Sequence, residues 1–200
     1  MNNLSLNKTT LKQLYGKGLS MSEIAQIQQC SVHKIVYWMN KYRIDRRSRS
    51  EALYRRLNPF GDPFQIKNNL TQKDLFLKGL GLGIYWGEGN KVSPYVISVT
   101  NTDPFMLQSF ILFLKVICSV KSEKIGYSIV CFNDSDVDEV SAYWSHELQV
   151  PVEKFGKIVQ VRQQGKGTYK KKSKFGVCAV TVCNIKLKQW LMNELAIVNA

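Results

Sequence analysis

The feature that most constrains this chain is a row of glycines, Gly79, Gly83 and Gly87, inside the apolar segment 75–91. On a helix, residues four apart share one face, so these glycines form a smooth stripe on which a second backbone can lie closely. Each interior glycine destabilises a helix by about 1 kcal/mol relative to alanine. The stripe therefore predicts a compensating contact with another helix, beside which Glu88 ends the segment.

Other known patterns fit this segment less well. The apolar run is interrupted by Lys78 and is shorter than the roughly 20 residues that cross a bilayer. Its glycines lack the G-x-G-x-x-G register of dinucleotide-binding loops, and Gly89 is followed by Asn90 and Lys91 instead of the Lys-Ser or Lys-Thr of a phosphate loop. An ordinary helix packed into a core remains the alternative interpretation.

The positive charge of the chain lies in two separate blocks. Residues 1–60 hold 11 Lys and Arg against 3 Asp and Glu, residues 61–164 hold 10 against 11, and residues 165–200 hold 7 against 1. The net charge of +13 is therefore divided between the two ends, around a nearly neutral middle. Two separated basic surfaces favour a polyanionic partner, and nucleic acid is the first candidate.

The cysteines and the amino terminus indicate a cytoplasmic protein. The five cysteines form no C-x-x-C pair, and the chain has only two histidines. We therefore expect reduced core thiols, with neither a zinc site nor a disulfide framework. Because Asn2, Asn3 and Lys8 interrupt any apolar start, we expect no signal peptide and no membrane partner. We also expect no small-molecule substrate.

Residues 9–47 are expected to form three short helices. Thr9 or Thr10 is a possible cap for the first, Ser20 with Glu23 forms a capping box before the second, and Ser31 can cap the third. The three helices are expected to enclose a small core. Its members are Leu11, Leu14, Ile24, Ala25, Ile35 and Trp38.

The run LYGKGLSMSEIAQIQQCSVHKIVYW resembles the helix-turn-helix modules of transposases, invertases and homing endonucleases. It departs from them at Gln28-Gln29, where a glycine is common before the Cys-Ser pair. The resemblance implies that the third helix lies in the major groove of DNA and that Val32, Ile35 and Trp38 face inward. A solvated surface role is the alternative for His33. The implied base contacts are Ser31, His33, Lys34 and Tyr37.

The segment 43–56 follows directly and is rich in arginine. A charge run is often only a solvated face, but next to a recognition helix it favours phosphate or minor-groove contact. Ser48 with Glu51 can cap a further short helix. The sequence NPFGDP then predicts a boundary, giving a DNA-binding domain at 1–57, a linker at 58–70 and a second domain at 71–200. The arginines expected to contact DNA are Arg43, Arg46, Arg47 and Arg49.

The second domain alternates helices with short strands, which predicts an α+β fold with a sheet covered on one face. Thr71 is expected to cap the glycine helix, and Asp103 with Pro104 begins the next helix. The expected helices are 71–89, 104–117, 136–148 and 184–197, and the expected strands are 95–100, 124–132, 155–162 and 175–182.

Residues 81–89, GLGIYWGEG, resemble the nine-residue signature of LAGLIDADG homing endonucleases. The third-position glycine falls on Gly83, the acidic eighth position on Glu88 and the last glycine on Gly89, while Trp86 replaces the sixth-position aspartate. The resemblance implies an antiparallel sheet and a homodimer in which two such helices pack through Gly79, Gly83 and Gly87. It also implies catalysis by Glu88, with Mg²⁺ or another divalent cation held by Glu88 and Gly87.

The family binds double-stranded DNA on the concave face of its sheet. Here that face would include Lys91, Arg162 and the loop 165–174, in which Tyr169 is interleaved with lysines. A solvated hairpin is the alternative interpretation of this loop. The lysines implied as phosphate contacts are Lys166, Lys170, Lys171, Lys172 and Lys174.

These observations predict a sequence-specific DNA-binding protein of the cytoplasm, associated with the nucleoid. The first hypothesis is a metal-dependent endonuclease that cuts double-stranded DNA. The alternative is a catalytically silent, domesticated member that acts as a transcriptional regulator. RNA binding fits less well, because a helix-turn-helix suits the major groove of B-form DNA.

Overall fold

A computed structural model of the protein describes residues 7–156, 158–162 and 173–197. The chain divides into two compact units, Met1–Asp62 and Pro63–Ala200, with the division inside the predicted linker. The second half of that linker belongs to the second unit. The backbone N–H groups of Gln65 and Lys67 donate to the carbonyl oxygens of Cys118 and Ile117, both at 2.9 Å.

The described part of the first unit is all helical. It contains α1 (Lys8–Gly16), α2 (Met21–Ile27), α3 (Val32–Lys41) and α4 (Arg49–Leu57), so the three predicted helices and the fourth short one are confirmed. Local side chains fix their starts, because Ser20 and Glu23 form the predicted capping box and Ser31 and Ser48 cap α3 and α4.

One cap in this unit differs from the prediction. Asn7, not Thr9 or Thr10, is the N-cap of α1, and its side-chain oxygen accepts the N–H of Thr9 at 3.0 Å. The helix begins earlier than the apolar pattern suggested. Asparagine is among the strongest capping residues, which accounts for the earlier start.

The small core of the first unit matches the prediction at most positions. Leu11, Ile24, Ala25, Ile35 and Met39 are buried, and Leu14 and Trp38 pack against them. The expected inward position of Val32 is wrong, because its side chain is 39% exposed. Val32 is the first residue of α3, and the buried positions of that helix begin only one turn later.

In the turn between α2 and α3, Gln29 occupies the position where the helix-turn-helix modules that this segment resembles commonly have glycine. Gln29 has a positive φ of 48°, the left-handed conformation that glycine adopts easily. Two backbone hydrogen bonds close the end of α2 here. The N–H of Cys30 donates to Ala25 O at 2.9 Å, and the N–H of Gln29 donates to Gln26 O at 3.1 Å. With glutamine at this position the hydrogen bonds that end α2 still form, but the positive φ of Gln29 destabilises the folded unit.

The second unit mixes helices and strands, as predicted. Short 3-10 turns lie at Ser122–Lys124 and Val152–Lys154, and none of the helices described here is long and apolar enough to cross a bilayer. The longer elements are α5 (Gln72–Glu88), β1 (Val96–Asn101), α6 (Pro104–Val116), β2 (Gly126–Phe132), α7 (Val137–Leu148), β3 (Val159–Val161), β4 (Val177–Cys183) and α8 (Ile185–Ile197).

The four strands form one sheet in the order β1-β4-β2-β3. β4 pairs antiparallel with both β1 and β2, but β3 pairs parallel with β2. The prediction of an antiparallel sheet is therefore wrong at β3, which is also shorter than expected. Its direction follows from the chain path, since a helix crossover through α7 separates β2 from β3 and such a connection produces parallel neighbours.

The sheet is covered on one face, as predicted. Alternate side chains on β1, β2 and β4 are buried, among them Ile97, Ile129 and Val180 at 0% exposure. The opposite face is half-buried or exposed, and Ser98 and Thr181 hydrogen-bond to each other across it at 3.0 Å. Period-two alternation of this kind separates a core face from a solvent face.

A substitution in the turn between α2 and α3 tests the account of Gln29. Gln29→Gly removes the side chain that disfavours a positive φ, so we expect the first unit to gain about 0.5–1 kcal/mol of unfolding free energy. Thermal melting followed by circular dichroism measures the gain. Gln26→Gly, at an exposed helical position in the last turn of α2, is the control and should destabilise the unit by up to about 1 kcal/mol. A lower melting temperature for Gln29→Gly would contradict the account.

Candidate functional site

The glycines of α5 divide into two groups with different surroundings. Gly81 faces inward, where an added Cβ would collide with the side chain of Phe113 on α6. Gly89, directly after the helix, is limited in the same way by the backbone and ring of Tyr85. The chain's own packing therefore explains these two glycines.

The other group is the predicted stripe, Gly79, Gly83 and Gly87. All three are exposed, and a Cβ added at any of them would meet no atom within 4 Å. Exposed apolar side chains lie along the same face, with Phe76 74% exposed and Leu80 38% exposed. Within the described residues of this unit, nothing accounts for the absence of a side chain at these three positions.

Glu88 is the last residue of α5 and is exposed. The turn that follows is tied to the sheet, because Gly89 forms a bridge with Val99 and the N–H of Asn90 donates to Ser98 O at 2.9 Å. A carboxylate at this end of a helix meets the negative end of the helix dipole, which is unfavourable. The position of Glu88 therefore does not stabilise the helix that carries it.

Lys188 of α8 lies beneath this turn and was not identified from the sequence. It is only 3% exposed, and its Nζ donates to the hydroxyl of Tyr85 and to the carbonyl oxygen of Asn90. Burial lowers the pKa of Lys188, and the charge of Lys91 lowers it further. Burial also raises the pKa of Tyr85 to about 12, so this phenol remains a donor at neutral pH.

One sequence signal could have identified Lys188. It stands beside Leu187 and three residues before Leu191, both fully buried in α8. A lysine next to the apolar face of a helix is seldom fully buried without a partner. Among the described residues, no carboxylate lies within ion-pair distance of Lys188, so two neutral oxygens receive its hydrogen bonds.

The predicted metal ligands are incomplete within one chain. No group of three or more histidine, cysteine, aspartate or glutamate side chains that could hold a metal ion occurs among the described residues. Glu88 contributes one carboxylate, and Gly87 lies in the last helical turn, where main-chain carbonyls lack helical partners. Burial raises the pKa of the Cys178 thiol to about 12, which makes that thiol a poor metal ligand.

The predicted DNA contacts of the second unit are only partly described. Arg162 is exposed at the end of β3, and Lys91 is exposed in the turn after α5, where its Nζ donates to Gly89 O at 3.0 Å. Lys174 forms an ion pair with Glu139 at 2.7 Å and lies 4.9 Å from the ring centroid of Phe175. Outside the described residues lie Lys166, Tyr169, Lys170, Lys171 and Lys172.

The predicted base contacts of the first unit lie between the cap and the middle of α3. His33 and Tyr37, one turn apart, are both exposed, and Lys34 between them is half-buried. Ser31 is exposed, and its hydroxyl accepts the N–H of Lys34 at 3.3 Å as the helix cap. A helix presenting these side chains outward suits contact with base edges in a groove.

The four predicted arginine contacts differ in their surroundings. Arg43, Arg46 and Arg49 are exposed. Arg47 is half-buried, and its guanidinium donates to main-chain carbonyl oxygens near the end of α1. Three of these side chains are therefore presented to solvent, and the fourth is engaged within the unit.

Replacing Lys188 tests whether its burial serves stability. Lys188→Met removes a buried charge, while the Tyr85 hydroxyl still donates to Asn90 O. We therefore expect the variant to be more stable than the wild type at pH 7 by about 1 kcal/mol. The pKa of Lys188 is lower in the folded protein than its ordinary value of 10.5, so the wild type gains stability as the pH rises through this range. The difference in unfolding free energy between the variant and the wild type should therefore become smaller at high pH.

Chemical denaturation at pH 7 and at higher pH measures both effects. Lys115→Met, at an exposed position of α6 in the same unit, is the control. A variant much less stable than the wild type at pH 7 would show that the hydrogen bonds of Lys188 outweigh its desolvation.

In comparisons with known proteins, no family model, no curated protein and no solved structure matches this chain.

Proposed function

We propose that this protein binds double-stranded DNA as a homodimer and cuts it with the help of a divalent cation. In this proposal the first unit is a helix-turn-helix module, and the second is a domain of the LAGLIDADG type. Glu88 is the catalytic carboxylate, and α5 forms the contact between the two copies.

The observation that carries the proposal is the outward glycine stripe of α5, which ends at Glu88. Three exposed helical glycines together cost about 3 kcal/mol relative to alanine, and no contact within the described unit requires them. A second helix lying on the stripe would account for all three. Since the chain has one such segment, the simplest partner is a second copy of itself.

A two-fold contact along α5 would also complete the acidic site. Each copy would bring one Glu88 to the axis, and two carboxylates in close proximity are stabilised by a cation between them. A divalent cation held there would activate water and stabilise the leaving oxygen of a phosphodiester. Lys188 would act at a distance from this chemistry, by holding the Tyr85 ring and the Asn90 turn that follows Glu88.

The surfaces around the two units support DNA as the substrate. The first unit presents His33 and Tyr37 in the first two turns of α3, and exposed arginines follow that helix along the chain. The open sheet face of the second unit presents hydroxyl groups, among them Ser98, Ser128 and Thr181. Hydroxyl and guanidinium groups are frequent partners of phosphate and sugar oxygens, while base edges are read by a helix in the major groove.

A second candidate function is DNA binding without cutting, as in a transcriptional regulator. Trp86 favours it, because an exposed tryptophan stands where the signature of the nuclease family has an aspartate. With Trp86 in that position, each copy offers a single carboxylate from the signature. The two candidates share fold, partner and dimer, and they differ only in hydrolysis.

Cleavage of a randomised plasmid library separates the two candidates. We expect the wild type to cut a subset of plasmids with Mg²⁺ and none with EDTA, because the cation completes the acidic site. Glu88→Gln, which keeps the shape but removes the charge, should reduce cutting at least about 100-fold and leave binding unchanged. Sequencing of the cut ends measures cutting, and a mobility-shift assay measures binding.

Glu123→Gln is the matched control for the cleavage experiment, since it removes an exposed carboxylate elsewhere in the same unit. Binding of selected sites with no cutting by the wild type would favour the regulator. Equal cutting by Glu88→Gln and the wild type would contradict the role of Glu88 and leave DNA binding intact.

The stripe itself predicts opposite effects of one methyl group on folding and on association. Gly83→Ala places its Cβ in open space within the described chain, so the folded monomer should gain about 1 kcal/mol. The same methyl would hold two α5 helices apart and weaken the dimer. Analytical ultracentrifugation over a concentration series measures association, and denaturation at low concentration measures monomer stability.

Gly16→Ala is the control for this experiment, because Gly16 also lies in a helix with no atom within 4 Å of an added Cβ. It should leave association unchanged. A wild type that stays monomeric at all concentrations, both free and with DNA, would refute the contact along α5.

A further inference from the structure

The basic arm is the segment 43–49, which runs from the end of α3 to the first residue of α4. One of its arginines is directed back into the first unit. Nη1 of Arg47 donates to the carbonyl oxygens of Gly18 and Leu19 at 3.0 and 3.1 Å, and Nη2 donates to Tyr15 O. The guanidinium carbon lies 3.8 Å from the centroid of the Tyr15 ring. The Tyr15 hydroxyl in turn accepts the backbone N–H of Arg47 at 2.9 Å.

A second arginine reaches the same place from α4. Nη1 of Arg55 lies 3.5 Å from the carbonyl oxygen of Gly16, and its Nε lies 3.7 Å from Glu51. The accepting carbonyls belong to the end of α1 and the turn after it, where helical carbonyls lack partners and the helix dipole is negative. Two guanidinium groups therefore attach the arm and α4 to the end of α1.

These contacts limit what Arg47 can offer to DNA. Three hydrogen bonds and one ring contact occupy its guanidinium. Transfer of this group to a phosphate would remove the hydrogen bonds that Gly18 O and Leu19 O accept, while Tyr15 O would keep the N–H of Gly18 at 3.0 Å. Its neighbours Arg43, Arg46 and Arg49 are exposed and carry the same charge. The arm is thus fixed at one residue and presents the others to solvent.

We propose that Arg47 is a positioning residue for DNA binding: it orders the basic arm before binding, so that Arg43, Arg46 and Arg49 meet phosphates in a fixed arrangement. This inference rests on the proposed DNA-binding function. Order established in the free protein lowers the entropy cost of association, which makes binding tighter without adding a contact.

Salt dependence distinguishes a contact from a positioning role. The full-length protein is titrated with a fluorescent duplex of about 30 base pairs and random sequence, because the phosphate contribution needs no specific site. Affinity is measured over a series of salt concentrations, at a temperature well below the melting transition of every variant. Arg46→Gln should weaken binding and flatten the slope of log K against log salt by about 0.9, as expected for one lost phosphate contact.

Arg47→Gln removes the same charge at the neighbouring position and should behave differently. We expect it to bind DNA about three- to tenfold more weakly, because the basic arm is no longer ordered before binding. The slope of log K against log salt should stay unchanged, because no phosphate contact is lost. Arg47→Lys should not restore affinity, because lysine lacks the planar fork that spans the carbonyls. Tyr15→Leu removes the ring and the hydroxyl but no charge, and it should weaken binding with the slope unchanged.

Several outcomes would overturn the inference. A slope flattened by Arg47→Gln as much as by Arg46→Gln, or affinity restored by Arg47→Lys, would make Arg47 a direct phosphate contact. Unchanged affinity for folded Arg47→Gln and Tyr15→Leu, with only lower melting temperatures, would make its role purely structural. A wild type that binds no duplex at any salt concentration would refute the proposed function itself, and that result is visible before any variant is made.

Discussion

The second unit depends on one close packing contact, between α5 and α6 at Gly81. With no side chain at that position, the ring of Phe113 lies directly on the α5 backbone. The close approach of the two helices buries Tyr85, which lies one turn further along α5. Its ring stacks on that of Phe110, with 6.1 Å between the two ring centroids. The buried hydroxyl of Tyr85 then joins Asn90 and Lys188, so the end of the helix, the turn after it and α8 are held by a single arrangement.

The two faces of α5 therefore obey different constraints. The inward face is fully explained by the chain's own packing, from the capping box of Thr71 and Asp74 at its start to Gly89 at its end. A side-chain hydrogen bond from Lys67 lowers the pKa of Asp74 to about 2, so this cap stays charged in mild acid. The outward face has glycines and exposed apolar side chains that folding of the described unit does not require. Positions that folding requires are thus separated on one helix from positions that folding of the described unit leaves unexplained.

Local features of the fold were predictable from the sequence, because they depend on neighbouring residues. Ser20 with Glu23, Thr71 with Asp74 and Asp103 with Pro104 begin helices where expected. The alternating pattern likewise located β1, β2 and β4. The partner of β3 was not predictable in this way, because its parallel pairing depends on the path of α7.

The site was predictable only where the chemistry lies in a local motif. Glu88 and two glycines of the stripe lie within the segment 81–89, and the four-residue spacing shows the third. The apolar neighbours of Lys188 are visible in the sequence, but its partners Tyr85 and Asn90 lie about a hundred residues earlier, and no local pattern identifies them. Arg47 looked like its arginine neighbours in sequence, and only the positions of the α1 carbonyls distinguish it.

The division of the α5 glycines also has a consequence for how this sequence can change over generations. Substitution at Gly81 or Gly89 is opposed by the chain's own atoms and should be rejected in any lineage that keeps the fold. Substitution at Gly79, Gly83 or Gly87 would meet no such opposition and would favour the helix. Under the proposed dimer, a descendant released from its partner would drift first at these three positions.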